Sequence, residues 1–491
     1  MIDTDNKNHH STLQKIAHRI MIERGLLPDF PKEVLAELDK LKTPPTSSDK
    51  SIRDFRNLLW CSIDNDDSLD LDQLTTAISL PNGLTKILIA IADVDSLIKK
   101  NSAIDLHAQH NTISIYTTAE IFPMLPEKIS TNLTSLNLNS ERLAIVVEMI
   151  VKENGEIKDY DIYRALVTNH AKLAYNSLAA WLEGKEQTPE SLNKVDGLDK
   201  NLLLQNSIAK KLKSLRHING ALDLETIEAR FIFHDGILND IEDQKANDAK
   251  DIIQDFMISA NGITAKYLES KKIPSIRRIV RTPKRWERIV ELAAEQKFTL
   301  PIQPDSKALD QFLIFSKSSD PLRFPDLSLS VIKLLGPGEY VVELPGENTS
   351  GHFGLAVKDY THSTAPNRRY ADLITQRLLK ASFTNSPVPY SIEELTSLAS
   401  HCTEMADAAK KVERQVQKSA AAMLLESRIG EKFDAIVTGN SEKGIWVRIL
   451  HPPVEGKLIN GHDGIDVGHR IRVQLISTNV EKGFIDFKKT E

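Results

Sequence analysis

Five aspartates fall within nine residues, in Asp64-Asn65-Asp66-Asp67-Ser68-Leu69-Asp70-Leu71-Asp72. Like charges at that density repel, and divalent cations convert the repulsion into coordination. All-oxygen donors suit Mg2+, Mn2+ or Ca2+ rather than a thiol-preferring metal. Asp64, Asp66, Ser68 and Asp70 have the spacing of the first ligands of a calcium loop. Leu69 and Thr75 stand where that loop needs its Gly and its bidentate Glu, so the calcium-loop reading is set aside. A solvated acidic loop is the competing reading. Against it, Ile63, Leu69 and Leu71 interleave apolar side chains with the acids.

A second constellation runs from His352 to Leu373 and gathers His352, Tyr360, His362, Pro366, Arg368, Arg369, Tyr370 and Asp372. Pro366 suits the first turn of a helix, which predicts Arg368 and Arg369 near its N-terminus. Guanidinium there opposes the helix dipole unless an anion binds between them, and Arg forks match phosphate geometry. His352 and His362 are expected to make structural hydrogen bonds rather than to act as catalysts. A third cluster places Lys271, Lys272, Arg277, Arg278, Arg281, Lys284, Arg285 and Arg288 within eighteen residues. On a chain of net charge -6, it reads either as a track for a polyanion or as a solvated face.

These groups need a frame. The 491 residues, 41% hydrophobic and 26% charged, have ordinary globular composition and length for a large core plus smaller modules. Residues 11–42 read as two short helices, with Leu13, Ile16, Ala17, Ile20 and Met21 at helical spacing. Residues 42–50 read as a linker, and no β-rich domain fits before residue 50. Strands are predicted over 84–92 and 144–151, and a long helix over 246–267. Five short strands, at 433–437, 444–449, 456–459, 469–476 and 483–488, predict a small OB-type barrel. Trp446 and Arg448 would share one face of it, suited to base stacking and phosphate contact, unless Trp446 caps the barrel core. Trp60, Trp181 and Trp286 read as packing residues. Cys61 and Cys402 are too few and too far apart for a disulfide scaffold, and fit a reducing compartment. The polar N-terminus has no apolar signal core, and the apolar run 84–94 is too short to span a bilayer. The expectation is a soluble, cytoplasmic protein.

Four stretches, in order, resemble the ribonuclease II/ribonuclease R exoribonuclease family with its RNB catalytic domain. They are Ser62–Gln73, Ile89–Asp95, Ile115-Tyr116 followed by Pro123–Pro126, and His352–Leu373. With the closing barrel, the resemblance spans about residues 53–490. It implies a mixed α/β (α+β) RNB-type catalytic domain over 51–425 and an OB-fold RNA-binding domain over 426–491. A helical segment and linker over 1–50 precede them.

Residue by residue, the resemblance implies that Asp64, Asp70 and Asp72 hold metal. Asp72 and Arg368 serve catalysis, and Tyr116 stacks on terminal bases. Glu413 grips the last nucleotide, and Asp255 stands where relatives carry Glu. Arg369, Trp446 and Arg448 complete the expected RNA contacts. The cofactor implied is Mg2+, with Mn2+ an alternative and no organic cofactor. The partner is single-stranded RNA, with no membrane, and the protein is expected to be a monomer. The reaction implied is 3′→5′ hydrolysis to nucleoside 5′-monophosphates by two metal ions.

Two departures qualify this. The family's fourth aspartate is Gln73, whose amide can coordinate through oxygen but adds no charge. An RNA-binding protein with an impaired site is therefore the alternative, unless Asp66 or Asp67 compensates. The family's usual cold-shock barrels are also replaced by about fifty residues read as helical. A weaker grip on long RNA is expected, supplied in part by those helices or by the 271–288 cluster.

Overall fold

The computed structural model describes residues 9–225, 228–234, 237–244, 247–321, 323–347, 351–384, 386–441, 444–461, 464–465 and 467–490. Helices α1 (His9–Glu23) and α2 (Lys32–Leu38) open the described chain, as the periodicity predicts. The five apolar residues singled out in α1 are all buried. An extended linker then leads into a seven-stranded mixed sheet.

Four of its strands come first: β1 (Arg53–Asp54), β2 (Cys61–Asp64), β3 (Gln73–Ser79) and β4 (Thr85–Ala92). Helix α3 (Ala103–Asn111) and a hairpin of β5 (Ile115–Tyr116) and β6 (Ile121–Phe122) follow. The sheet is completed by β7 (Glu141–Val151), β8 (Ile157–Thr168) and β9 (Ala171–Ala174), in the order β1-β8-β7-β4-β3-β2-β9. The central strand β4 reads Thr-Lys-Ile-Leu-Ile-Ala-Ile-Ala and is buried from Ile87 onward, on both faces. A continuous apolar run suits such a strand, because neither side meets water.

Helices α4 (Tyr175–Leu182), α5 (Glu190–Asn193) and α6 (Leu198–Ile218) come next. After the hairpin β10 (Glu228–His234) and β11 (Ile237–Gln244) comes α7 (Asp248–Ser270). Asn247 caps α7 by accepting the Lys250 N–H at 2.9 Å. The strands β12 (Ser275–Ile279) and β13 (Glu339–Glu343) pair antiparallel. Between them, α8 (Trp286–Glu295), α9 (Ser306–Ser319) and α10 (Phe324–Leu335) form a module with its own apolar core around Trp286, Phe312 and Phe324.

Helix α11 (Tyr370–Thr384) packs on the sheet, and α12 (Ile392–Leu425) runs 34 residues, about 50 Å. Three cores line up along α12. Leu395, Leu398 and Cys402 face the sheet core. Val412 and Val416 meet α1 and the β5–β6 hairpin. Ala421, Ala422 and Leu425 meet the barrel. The barrel is closed by β14 (Lys432–Ser441), β15 (Gly444–Ile449), β16 (Glu455–Asn460), β17 (Arg470–Asn479) and β18 (Phe484–Thr490).

Two expectations need correction, and one open alternative is resolved. Pro366 lies in a turn and α11 starts only at Tyr370, because the Asp372 side chain folds back onto the Ala365 N–H at 2.8 Å. The 271–288 cluster is not one positive track. Arg277 is buried against Glu343 at 2.8 Å, and Arg278 lies over the Tyr340 ring, 4.6 Å from its centroid. Arg281 pairs with Glu339 and Arg288 with Glu291, which leaves Lys271, Lys272 and Lys284 as exposed lysines of the group. Trp446 does not cap the barrel core. Ile445, Val447 and Ile449 fill the interior, while Trp446 and Arg448 share the outer face, as the period of two requires.

Candidate active site

The acidic run is the loop between β2 and β3. Asp64 ends β2, and Gln73 begins β3, buried and in register with Ile91. The loop is tied down from outside. Ser135 Oγ accepts the Leu71 N–H at 3.0 Å and donates to the Leu69 carbonyl at 2.8 Å. Lys172 Nζ donates to the Ser68 carbonyl at 2.6 Å. Neither anchor announces itself in the sequence.

Facing the loop is the turn 363–369, held at nearly every residue. Asn261 Oδ1 accepts the Ser363 N–H, and Asp72 Oδ1 accepts the Asn367 N–H at 3.1 Å. The Thr134 hydroxyl donates to Asn367 Oδ1 at 2.6 Å, and the Arg368 carbonyl accepts the Ser114 N–H at 2.9 Å. The turn aims Arg368 across the gap, where its Nε donates to Asp72 Oδ2 at 3.1 Å. Asp72 is buried, whereas the Arg368 side chain is 44% exposed. The tip of the guanidinium therefore remains open to a ligand.

Burial pushes the Asp72 carboxyl up to about 7, with Arg368 opposing the shift and the charge of Asp70 adding to it. Burial also raises Asp64, against hydrogen bonds from the Asn65 N–H and the Ser68 hydroxyl, and Asp70 again adds to the rise. Asp70 thus lies close enough to both neighbours to resist a second and third negative charge.

Tyr116 completes the group. Its hydroxyl donates to Asp70 Oδ2 at 2.9 Å, and its backbone N–H donates to Glu413 Oε1 at 3.1 Å. Desolvation of the hydroxyl, and then the charge of Asp70, hold the phenol proton in place. The residue as a whole is 41% exposed, a flat ring at the lip of the acidic loop. Tyr175, at the start of α4, feels the charges of Asp64 and Arg368 and belongs to the same surroundings. It was not legible in the sequence.

Hydrogen bonds and mutual charge thus bring Asp64, Asp70, Asp72, Tyr116, Arg368 and Glu413 into one neighbourhood, with Gln73 next to Asp72 in the chain but buried in the sheet. Four other expected RNA contacts are not brought there: Trp446 stays on the outer face of the barrel, and three charged residues are paired elsewhere. Arg369 turns away and forks onto Asp372 at 2.7 and 2.8 Å, fixing the turn rather than facing a ligand. Arg448 is held bidentate by Asp326 of α10, at 2.7 and 3.0 Å. Asp255 is buried and paired with Arg216. It is one rung of a ladder between α7 and α6, with Asp248–Lys210 at 2.6 Å and Asp251–Lys213 at 2.8 Å. Spacings of three and four put all three acids on the α7 face that meets α6.

His352 and His362 behave as expected. His352 Nδ1 accepts the Leu355 N–H, and His362 Nδ1 lies 2.7 Å from the Tyr340 hydroxyl. Burial lowers both, His352 to about 4, so both rings are neutral.

The donors here are hard oxygens whose charges repel one another, which fits a divalent cation in chemistry. Among the described residues, however, no three acid, histidine or cysteine side chains converge on one point.

The RNB domain family matches residues 52–385, and the family described as the RNase II-type exonuclease C-terminal S1 domain matches residues 431–490. The chain belongs to the RNB domain family. Ribonuclease R 2 of Lactococcus lactis is 30% identical over 94% of this chain and 73% of its own length. Ribonuclease R 1 of the same organism is 28% identical over 96% of this chain, which spans 60% of that relative. The RNB fold is also seen in the structure of Mycoplasma genitalium RNase R in complex with ribose methylated single-stranded RNA. That structure has a TM-score of 0.88 and 22% identity, over 99% of this chain and 78% of the other. Yeast Ssd1, described as a pseudonuclease, shares the fold at a TM-score of 0.72 and 16% identity, over 91% of this chain and 55% of its own. Among the described residues, no helix is long and apolar enough to cross a membrane.

Proposed function

We propose that this RNB-family chain is a 3′→5′ exoribonuclease that degrades single-stranded RNA to nucleoside 5′-monophosphates, acting in the cytoplasm as a monomer. The observation that carries the reading is the placement of Arg368. It is anchored by Nε to Asp72, lies within reach of the charges of Asp64 and Asp70, and leaves its tip exposed.

The guanidinium tip is suited to hold a phosphate between itself and the acids. Tyr116 offers its ring to the 3′-terminal base, a contact that tolerates any sequence. Glu413, which fixes the Tyr116 backbone, positions that ring. Mg2+ or Mn2+ held by Asp64, Asp70 and Asp72 would activate the attacking water and neutralise the phosphate in a two-metal site. Relatives named Ribonuclease R, and a structural neighbour described in complex with single-stranded RNA, support the substrate.

A second reading keeps RNA binding and drops cleavage. Gln73 in place of an acid favours it, as does the lack of a converged acidic trio among the described residues. Yeast Ssd1, a pseudonuclease with this fold, illustrates that fold alone does not assign chemistry.

The test is digestion of 5′-labelled single-stranded RNA in Mg2+, with Asp72→Asn and Gln73→Asp alongside. A ladder shrinking from the 3′ end and lost in Asp72→Asn is expected. Tight binding without a ladder in the unmodified protein supports the second reading, and a ladder gained only in Gln73→Asp traces the defect to that position.

A further inference from the structure

Each of the two residues expected to hold RNA is hydrogen-bonded to an acid expected to hold a cation. The Tyr116 hydroxyl donates to Asp70 Oδ2 at 2.9 Å, and Arg368 Nε donates to Asp72 Oδ2 at 3.1 Å. A carboxylate oxygen has two lone-pair sites, and a donor on one of them draws off charge that a cation would otherwise meet and restricts its approach. We propose that these two contacts are latches, through which cation binding and capture of the RNA 3′ end reinforce each other. This rests on the functional reading above and adds the link between its two ligands.

The backbones of both residues are pinned, so the latches can open only by side-chain rotation. The Tyr116 N–H is held by Glu413, and its strand pairs Tyr116 with Ile121. The Arg368 N–H donates to the Ala365 carbonyl at 3.2 Å, and the Arg368 carbonyl accepts the Ser114 N–H. Ile113 bridges Arg369, so the Tyr116 strand and the Arg368 turn form one rigid piece of backbone. Against that fixed frame, the phenol and the guanidinium are the adjustable parts.

A cation that takes Asp70 and Asp72 loosens the phenol and the guanidinium, and both become free for RNA. Conversely, a base that draws the Tyr116 ring away from Asp70 leaves a carboxylate with one fewer donor. Linkage requires the two effects to be equal in size.

Calorimetric titration of Mg2+, without RNA, into the unmodified protein and into Tyr116→Phe tests this directly. Phenylalanine keeps the ring and removes only the latch. The expected result is Mg2+ affinity about tenfold tighter in Tyr116→Phe, the worth of one hydrogen bond to a charged group. Arg368→Met is expected to shift the same way. Anisotropy of a 2′-O-methylated single strand then reads the coupling. Mg2+ should tighten RNA binding severalfold in the unmodified protein and less than twofold in Tyr116→Phe. Clear Mg2+ binding of equal affinity in the unmodified protein and Tyr116→Phe overturns the latch and leaves the functional reading standing. No Mg2+ binding by the unmodified protein overturns the metal-site reading and the latch with it.

Discussion

Arg368 and Arg448 both face an aspartate, yet the two regions around them are built for opposite ends. Between the barrel and α10, Arg448 and Asp326 use both prongs of the fork and are 15% and 12% exposed. Both prongs of that guanidinium are taken. At the acidic loop, Arg368 spends one nitrogen on Asp72 and stays 44% exposed, while Asp72 keeps its proton up to about pH 7. Completed pairing marks an arginine that holds domains together. Incomplete pairing beside crowded acids leaves a guanidinium that can still take an anion.

The sharpest break of this contrast is Arg368→Ala. If Arg368 meets the scissile phosphate, single-turnover cleavage should fall about a thousandfold, while Asp72, already raised to about 7, takes up a proton and keeps the loss in melting temperature small. A large drop in melting temperature would instead make it a second Arg448.

Arg448→Ala should do the reverse. It strands a mostly buried Asp326, at a cost of about 2–3 kcal/mol in urea unfolding, below the full range for deep pairs because both groups keep some solvent. Cleavage of a short RNA should stay within threefold of the parent. Replacing both partners, with Arg448→Met and Asp326→Leu, should recover most of the loss, since the pair then leaves no uncompensated charge.

The smallest effect is a pH dependence. Burial raises Asp72, so the folded protein holds a proton that the unfolded chain gives up. Stability from this group is therefore complete below about pH 4 and falls as pH rises towards about 7. In chelator, Asp72→Asn should remove that slope and be the more stable protein at pH 8 by about 1–2 kcal/mol, after its weakened contacts to Arg368 and the Asn367 N–H are counted. Parallel unfolding curves from pH 5 to 8 would mean that Arg368 already satisfies Asp72 fully, and the contrast with Asp326 would fade.

Much of the site was legible without coordinates because its signals are local. The acids of 64–72 adjoin in sequence, and alternation in 445–449 assigns Trp446 and Arg448 to one outer face. Helical spacing in α1 named its buried residues, and an apolar run marked β4. Local pattern fixes local structure because turn chemistry and side-chain period act over a few residues.

What each charge faces was a different matter. Arg448 finds Asp326 from 122 positions away, and Asp72 meets Arg368 across 296. Arg369, one residue from Arg368, points the other way because Asp372 lies one helical turn ahead. Asp255 is paired with Arg216 because the phase of α7 turns it towards α6. The sequence determined which residues could do the chemistry and where the strands and helices run. Only the tertiary structure decided which charges are spent on one another, because a charge is free or paired according to neighbours that the fold, not the chain order, supplies.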